Sequence, residues 1–124
     1  MKKIKYKISF KDRRGTIIDM VEKERINAVT LITSQNKSVR GNHYHKKTWQ
    51  WNYILDGKVK LVCQKFNEKK KTTFLKKGDL ILLGPMEKHA FFALTKYSML
   101  VFTKGPRGGK EYENDTFRLK KNII

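Results

Sequence analysis

With 124 residues, 39% of them hydrophobic and 11% aromatic, the chain can bury one core and is too apolar to be disordered. Cys63 is the only cysteine, which excludes an internal disulfide and fits a reducing compartment, so a cytoplasmic location is expected. The net charge of +18 is mostly scattered lysine with no RNP, KH, zinc-finger or helix-turn-helix pattern beside it, so no nucleic-acid partner is expected.

Along the chain, apolar residues alternate with period 2 and helical periodicity is almost absent. Ile4, Tyr6, Ile8 and Phe10 alternate with lysines and a serine, predicting a first strand. Lys5, Lys7 and Lys11 also break the apolar stretch a signal peptide needs, and no window is long enough to span a bilayer, so no membrane partner is expected. Asp12-Arg13-Arg14-Gly15 reads as a turn, with a second strand over 16–21 and a third apolar run over 29–32. A fourth strand approaches His43 and His45, and a hairpin then returns the chain through Gln50 along a fifth strand over 49–55. Asp56-Gly57 has the residue types of a type I′ hairpin turn, because both tolerate positive φ. Val59, Leu61 and Cys63 share one face of the next strand, which makes Cys63 a core residue and not a nucleophile. Runs over 72–75, 80–83, 90–94 and 98–103 complete the set, and after Gly105-Pro106-Arg107-Gly108-Gly109 the tail reads as an irregular arm. Residues 1–124 form a single all-β domain, a sandwich or barrel whose mouth could hold one ligand.

The chemistry is concentrated in three histidines. His43 and His45 stand at i and i+2, so on a strand both imidazoles project from one face. His89 follows a strand and the Gly84-Pro85 turn. Gln50 and Asn52 share strand parity, which places Trp49, Trp51 and Tyr53 on the opposite side. If the amides face the cavity, the aromatic row points outward and marks a homodimer interface, unless the chain's own N-terminal strand covers it.

Gly41-x-His43-x-His45-x4-Gln50-x6-Gly57 resembles the first motif of the cupins, and Gly78-Asp79-x5-Pro85-x3-His89 resembles the second. The resemblance implies a cupin-type double-stranded β-helix, a jelly-roll barrel. Gln50 stands where most metal-binding cupins carry glutamate, and an amide offers a metal only a neutral oxygen. Asp12-x-Arg14-Gly15, Arg40-Gly41-Asn42-His43-x-His45-Lys46-Lys47, Gln50 and Gly84-Pro85-Met86-x-x-His89 together resemble the dTDP-sugar 3,4-ketoisomerases, metal-free cupin enzymes of surface-polysaccharide biosynthesis. The Arg-Gly-x-His-Tyr stretch is also similar to the dTDP-4-dehydrorhamnose 3,5-epimerases, whereas the tail over 109–116 looks different from the ketoisomerase family.

The resemblance implies an enzyme acting on a nucleotide-linked keto-sugar. His43 and His45 would serve as proton acceptor and donor, since an imidazole titrates near working pH. Arg40 or Lys46 would supply positive charge, and Gln50, Asn52 and His89 would contact substrate. One alternative is a metal-dependent cupin in which His43, His45, Gln50 and His89 hold a divalent ion such as Zn, Fe, Mn or Ni. Another is a non-catalytic cupin that binds a sugar or metabolite.

Overall fold

The computed structural model describes residues 1–124, and its regular structure is almost all antiparallel sheet. Twelve strands form: β1 (Lys2–Ile4), β2 (Phe10–Asp12), β3 (Gly15–Ile17), β4 (Ala28–Ser34), β5 (Val39–Tyr44), β6 (Trp49–Asp56), β7 (Lys58–Lys65), β8 (Lys71–Lys76), β9 (Leu80–Leu83), β10 (Glu87–Ala93), β11 (Tyr97–Lys104) and β12 (Phe117–Arg118). One short helix, α1 (Gly109–Asn114), lies between β11 and β12. No helix is long and apolar enough to cross a membrane.

One five-stranded sheet has the order β1-β9-β6-β11-β4, and the other the order β12-β5-β10-β7-β8. Their inner faces enclose a core of Ile54, Val59, Leu61, Cys63, Leu75, Ile81, Leu83, Phe91, Met99 and Val101, among others. Period-2 alternation explains which residues enter it: along β11, Tyr97, Met99, Val101 and Thr103 are buried while their neighbours are half-buried. Cys63 is a core residue as expected, and its burial pushes the thiol up to about 12.

Four local expectations are corrected. The alternation over 4–10 does not make one strand: β1 stops at Ile4 after pairing with β9, and Phe10 begins a separate hairpin with β3, itself shorter than the expected 16–21. Lysine alternation supplies the period, but a strand also needs a partner edge. Asp56-Gly57 is not a hairpin turn either, since β6 pairs with β9 and β11 while β7 pairs with β10 and β8. Gly57 keeps the expected positive φ of 86°, yet it carries the chain from one sheet to the other. A Cβ there would collide with the Lys96 carbonyl and lie 2.7 Å from Tyr97 Cα.

Likewise, β5 and β6 form no hairpin. They belong to different sheets, so the histidines and Gln50 face one another across the sandwich. The tail is no irregular arm, because β12 adds to the edge of β5 and the Leu119 N–H donates to the Asn42 carbonyl at 2.9 Å.

The aromatic row is only partly exposed. Trp51, flanked in register by Leu82 and Phe102, keeps 8% of its surface, and Tyr53 is half-buried. Trp49 remains 40% exposed, and on the edge strand β4 Val29 and Leu31 reach 59% and 61%.

Candidate active site

The second sheet sets three side chains in a row. His43 on β5 pairs with His89 on β10 to one side and with Arg118 on β12 to the other. Directly opposed residues of an antiparallel ladder point the same way, so both imidazoles and the guanidinium face the interior. A bulge makes the spacing work: Ala90 is opposite Gly41 and His89 opposite His43, which leaves Asn42 as the extra residue at φ 56°. Gly41 is needed here, because a Cβ would stand 2.7 Å from the His89 carbonyl oxygen.

From the first sheet, Gln50 and Asn52 face this row across a cavity of about 500 Å³, together with Ile32, Met99 and Val101. Arg40, Arg107, Tyr112 and Thr116 also line it. Arg40 is held in place by donating to Ser34 Oγ at 2.7 Å and to the Thr33 carbonyl at 2.9 Å. Asn52 donates to the Gln50 and Ile81 carbonyls, at 3.0 and 3.4 Å, which leaves its own oxygen for a ligand.

The imidazoles converge as the sequence suggests. Ring centroids lie 4.7 Å apart for His43 and His89, 4.9 Å for His43 and His45, and 5.6 Å for His45 and His89. His43 and His89 line the cavity, while His45, 2% exposed, stands behind them and beside Tyr112. His45 Nδ1 meets the Asp115 carbonyl at 2.8 Å and His89 Nδ1 meets the Glu87 carbonyl at 3.0 Å. A carbonyl oxygen only accepts, so both Nδ1 atoms carry the proton and both Nε2 atoms keep a lone pair. His43 Nδ1 and His45 Nε2 are buried without a partner.

Burial is the main cause that depresses all three histidines. His43 is lowered to about 4, with the neighbouring His45 and Arg118 adding to the effect. His89 is lowered to about 3 by burial and then by His43. His45 is also lowered, against an opposing contribution from its bond to Asp115. At neutral pH the site therefore presents uncharged imidazoles next to permanently charged guanidiniums. It can accept a proton and stabilise the anion left behind.

One expected source of charge is elsewhere. The Lys46 ammonium lies 4.4 Å over the Phe117 ring and lines a different cleft. Arg107 and Arg118 join Arg40 at the cavity instead, and neither stood out in the sequence. The available signal was Tyr112 and Phe117, two aromatics in an otherwise charged tail, which suggest a docked segment.

A family model described as the polysaccharide biosynthesis C-terminal domain matches residues 10–105, ending just short of Arg107. A comparison with curated proteins gives no match. The chain is similar to the solved structure of QdtA, a sugar 3,4-ketoisomerase from Thermoanaerobacterium thermosaccharolyticum in complex with TDP. Identity is 26%, the TM-score 0.77, and the match covers 96% of this chain and 88% of that one. A histidine-to-asparagine mutant of that enzyme, in complex with TDP-4-keto-6-deoxyglucose, gives 27% identity, a TM-score of 0.76, and 94% and 86% coverage. The dTDP-4-dehydrorhamnose 3,5-epimerase from Sulfolobus tokodaii shares the fold, at 17% identity, a TM-score of 0.69, and 86% and 70% coverage. These likenesses bear out the all-β cupin architecture.

Proposed function

Since this chain belongs to the polysaccharide biosynthesis C-terminal domain family, we propose that it is a 3,4-ketoisomerase acting on a nucleotide-linked 4-keto-6-deoxy sugar. The observation that carries the reading is the uncharged His43 imidazole on the cavity wall, opposite Arg118 in register and beside His89. Likeness to a 3,4-ketoisomerase complexed with TDP and to its mutant complexed with TDP-4-keto-6-deoxyglucose supports the substrate class.

Moving the keto group needs only proton transfers. His43 takes the proton from sugar C3, next to the C4 carbonyl, and the electron pair forms an enediolate whose charge rests on O4. The proton held by His43 is then placed on C4, and the proton of the O3 hydroxyl passes to O4 as the C3 carbonyl forms, so two protons leave the sugar positions and two arrive. His45, directly behind His43, is the partner in this exchange. Guanidiniums of Arg40, Arg107 and Arg118 offset the charge of the diphosphate and the enediolate. Gln50, Asn52 and His89 orient the sugar. The cavity volume falls in the usual range for small-molecule sites, roughly 300–1,000 Å³.

Incubating the purified protein with TDP-4-keto-6-deoxyglucose and following the sugar by NMR tests the reading. Appearance of the 3-keto isomer supports it. Binding of TDP without turnover would favour a non-catalytic cupin, and no binding at all would refute both.

A second reading rests on the donor set. One nitrogen from each of His43, His45 and His89 lies within 4.8 Å of the others, and two of the rings have Nδ1 tied to a backbone carbonyl, as metal-ligating histidines commonly do. These donors fit a divalent ion such as Zn, Fe, Mn or Ni, which the three histidines would hold with the Gln50 amide oxygen. Such an ion would polarise the sugar carbonyl as a Lewis acid. Metal analysis of the purified protein, with turnover measured before and after chelation, separates the readings. We further place the protein in the cytoplasm, where a buried free Cys63 is stable and nucleotide sugars are made, as a homodimer covering Val29, Leu31 and Trp49. Sedimentation velocity checks the second point.

A further inference from the structure

Asp115 is the one buried carboxylate in the C-terminal segment, and its surroundings are unusual for a chain this basic. No Lys or Arg side chain pairs with it. Its Oδ1 accepts from the Lys46 N–H at 3.0 Å, both oxygens accept from the Lys47 N–H at 3.2 Å, and Oδ2 accepts from the Thr48 hydroxyl at 2.6 Å. Burial raises its pKa, but these hydrogen bonds outweigh burial and leave it below the ordinary carboxylate value. The carboxylate thus ties the end of α1 to the 46–48 crossover, a segment distant in the chain. From the same residue, the backbone carbonyl receives the His45 Nδ1–H.

Two consequences meet at the cavity. The crossover that Asp115 grips begins one residue after His45 and ends two before Gln50. The segment it anchors carries Arg107, Tyr112, Thr116 and Arg118, which form one wall. We infer that Asp115 is a positioning residue of the site: through its carboxylate it seats the C-terminal wall, and through its carbonyl it holds His45 in the Nδ1–H tautomer, with the Nε2 lone pair left free beside His43. Its importance for turnover rests on the ketoisomerase reading, whereas its control of the His45 tautomer does not.

The test uses Asp115→Ala and Asp115→Asn. Asparagine keeps one oxygen for the Lys46 and Lys47 N–H groups and can donate to the Thr48 hydroxyl, so it should rescue in part. In 15N-labelled protein at pH 7.5, where the imidazoles are uncharged, His45 should report a pure Nδ1–H tautomer in the wild type. In Asp115→Ala it should become a mixture, with Asp115→Asn between the two. With TDP-4-keto-6-deoxyglucose, Asp115→Ala should lower kcat at least tenfold and raise KM several-fold. If Asp115→Ala does not fold, Thr48→Val removes one donor and should shift the tautomer signal in the same direction by less. A folded variant with a lower melting temperature but wild-type tautomer and kcat would overturn the inference, since that is what a merely structural carboxylate predicts. Should the wild type fail to turn over the sugar while the tautomer responds as stated, the ketoisomerase reading falls and the role of Asp115 stands.

Discussion

His43 and Arg118 are direct partners across the β5–β12 ladder, 75 positions apart in sequence, and the guanidinium is one of the charges that keep the imidazole unprotonated. The ladder places a base and an anion-stabilising cation side by side without either needing a salt bridge. In the proposed reaction, these are the two groups that proton removal next to a carbonyl requires.

His43→Asn removes the proton acceptor while keeping a polar side chain of similar reach. Turnover should fall by at least about 10²-fold, the lower end for general base catalysis, with circular dichroism and TDP binding retained. In the wild type, the acid limb of kcat/KM should lie near the lowered value of about 4, well below the ordinary imidazole range. Full activity of the variant would remove His43 from the mechanism. His45→Asn should have a similar effect on kcat.

Arg118→Met takes away charge at almost constant length. Loss of a charge-assisted contact to phosphate is worth roughly 1.5–3 kcal/mol, so TDP should bind about ten- to a hundredfold more weakly by calorimetry. The same substitution removes a charge that lowers His43, and the acid limb of the pH profile should move upward. An unchanged limb would separate Arg118 from His43.

Folding stability should depend on pH in a direction set by the histidines. His43 and His89 have folded values near 4 and 3, below the 6.5 of an unfolded imidazole, so the unfolded chain binds more protons in between. Their contribution is complete above about pH 6.5 and is lost as pH falls toward the folded values. For His43 alone the loss is on the order of 3 kcal/mol. Urea midpoints at pH 7.5, 6 and 5 should decrease in that order, and His89→Gln should flatten the trend.

Gly57→Ala tests the crossover. Its positive φ and the approach of Lys96 and Tyr97 leave no room for a methyl group, so a loss of about 2 kcal/mol or more is expected in urea unfolding. In the two-residue hairpin that the residue types suggested, the same change would cost less.

Local chemistry was readable from the sequence. The i, i+2 spacing of His43 and His45 set both imidazoles on one face, parity paired Gln50 with Asn52, and the glycine–proline punctuation located His89. Period-2 alternation made the chain all-β, because side-chain direction along a strand depends only on neighbouring residues. Which strands pair was not readable. Gly57 has the positive φ its residue type suggested, Asp56 does not, and neither could say that β6 and β7 lie in different sheets. Arg118 and Arg107 reach the cavity, and Asp115 reaches the crossover behind it, because the tail docks with β12 on the edge of β5. That pairing is made by backbone hydrogen bonds, which any sequence can form, and by packing of distant side chains. The aromatics Tyr112 and Phe117 hint that the tail docks, but nothing in composition or spacing names its partner strand, so tertiary structure decided which residues form the wall of the site.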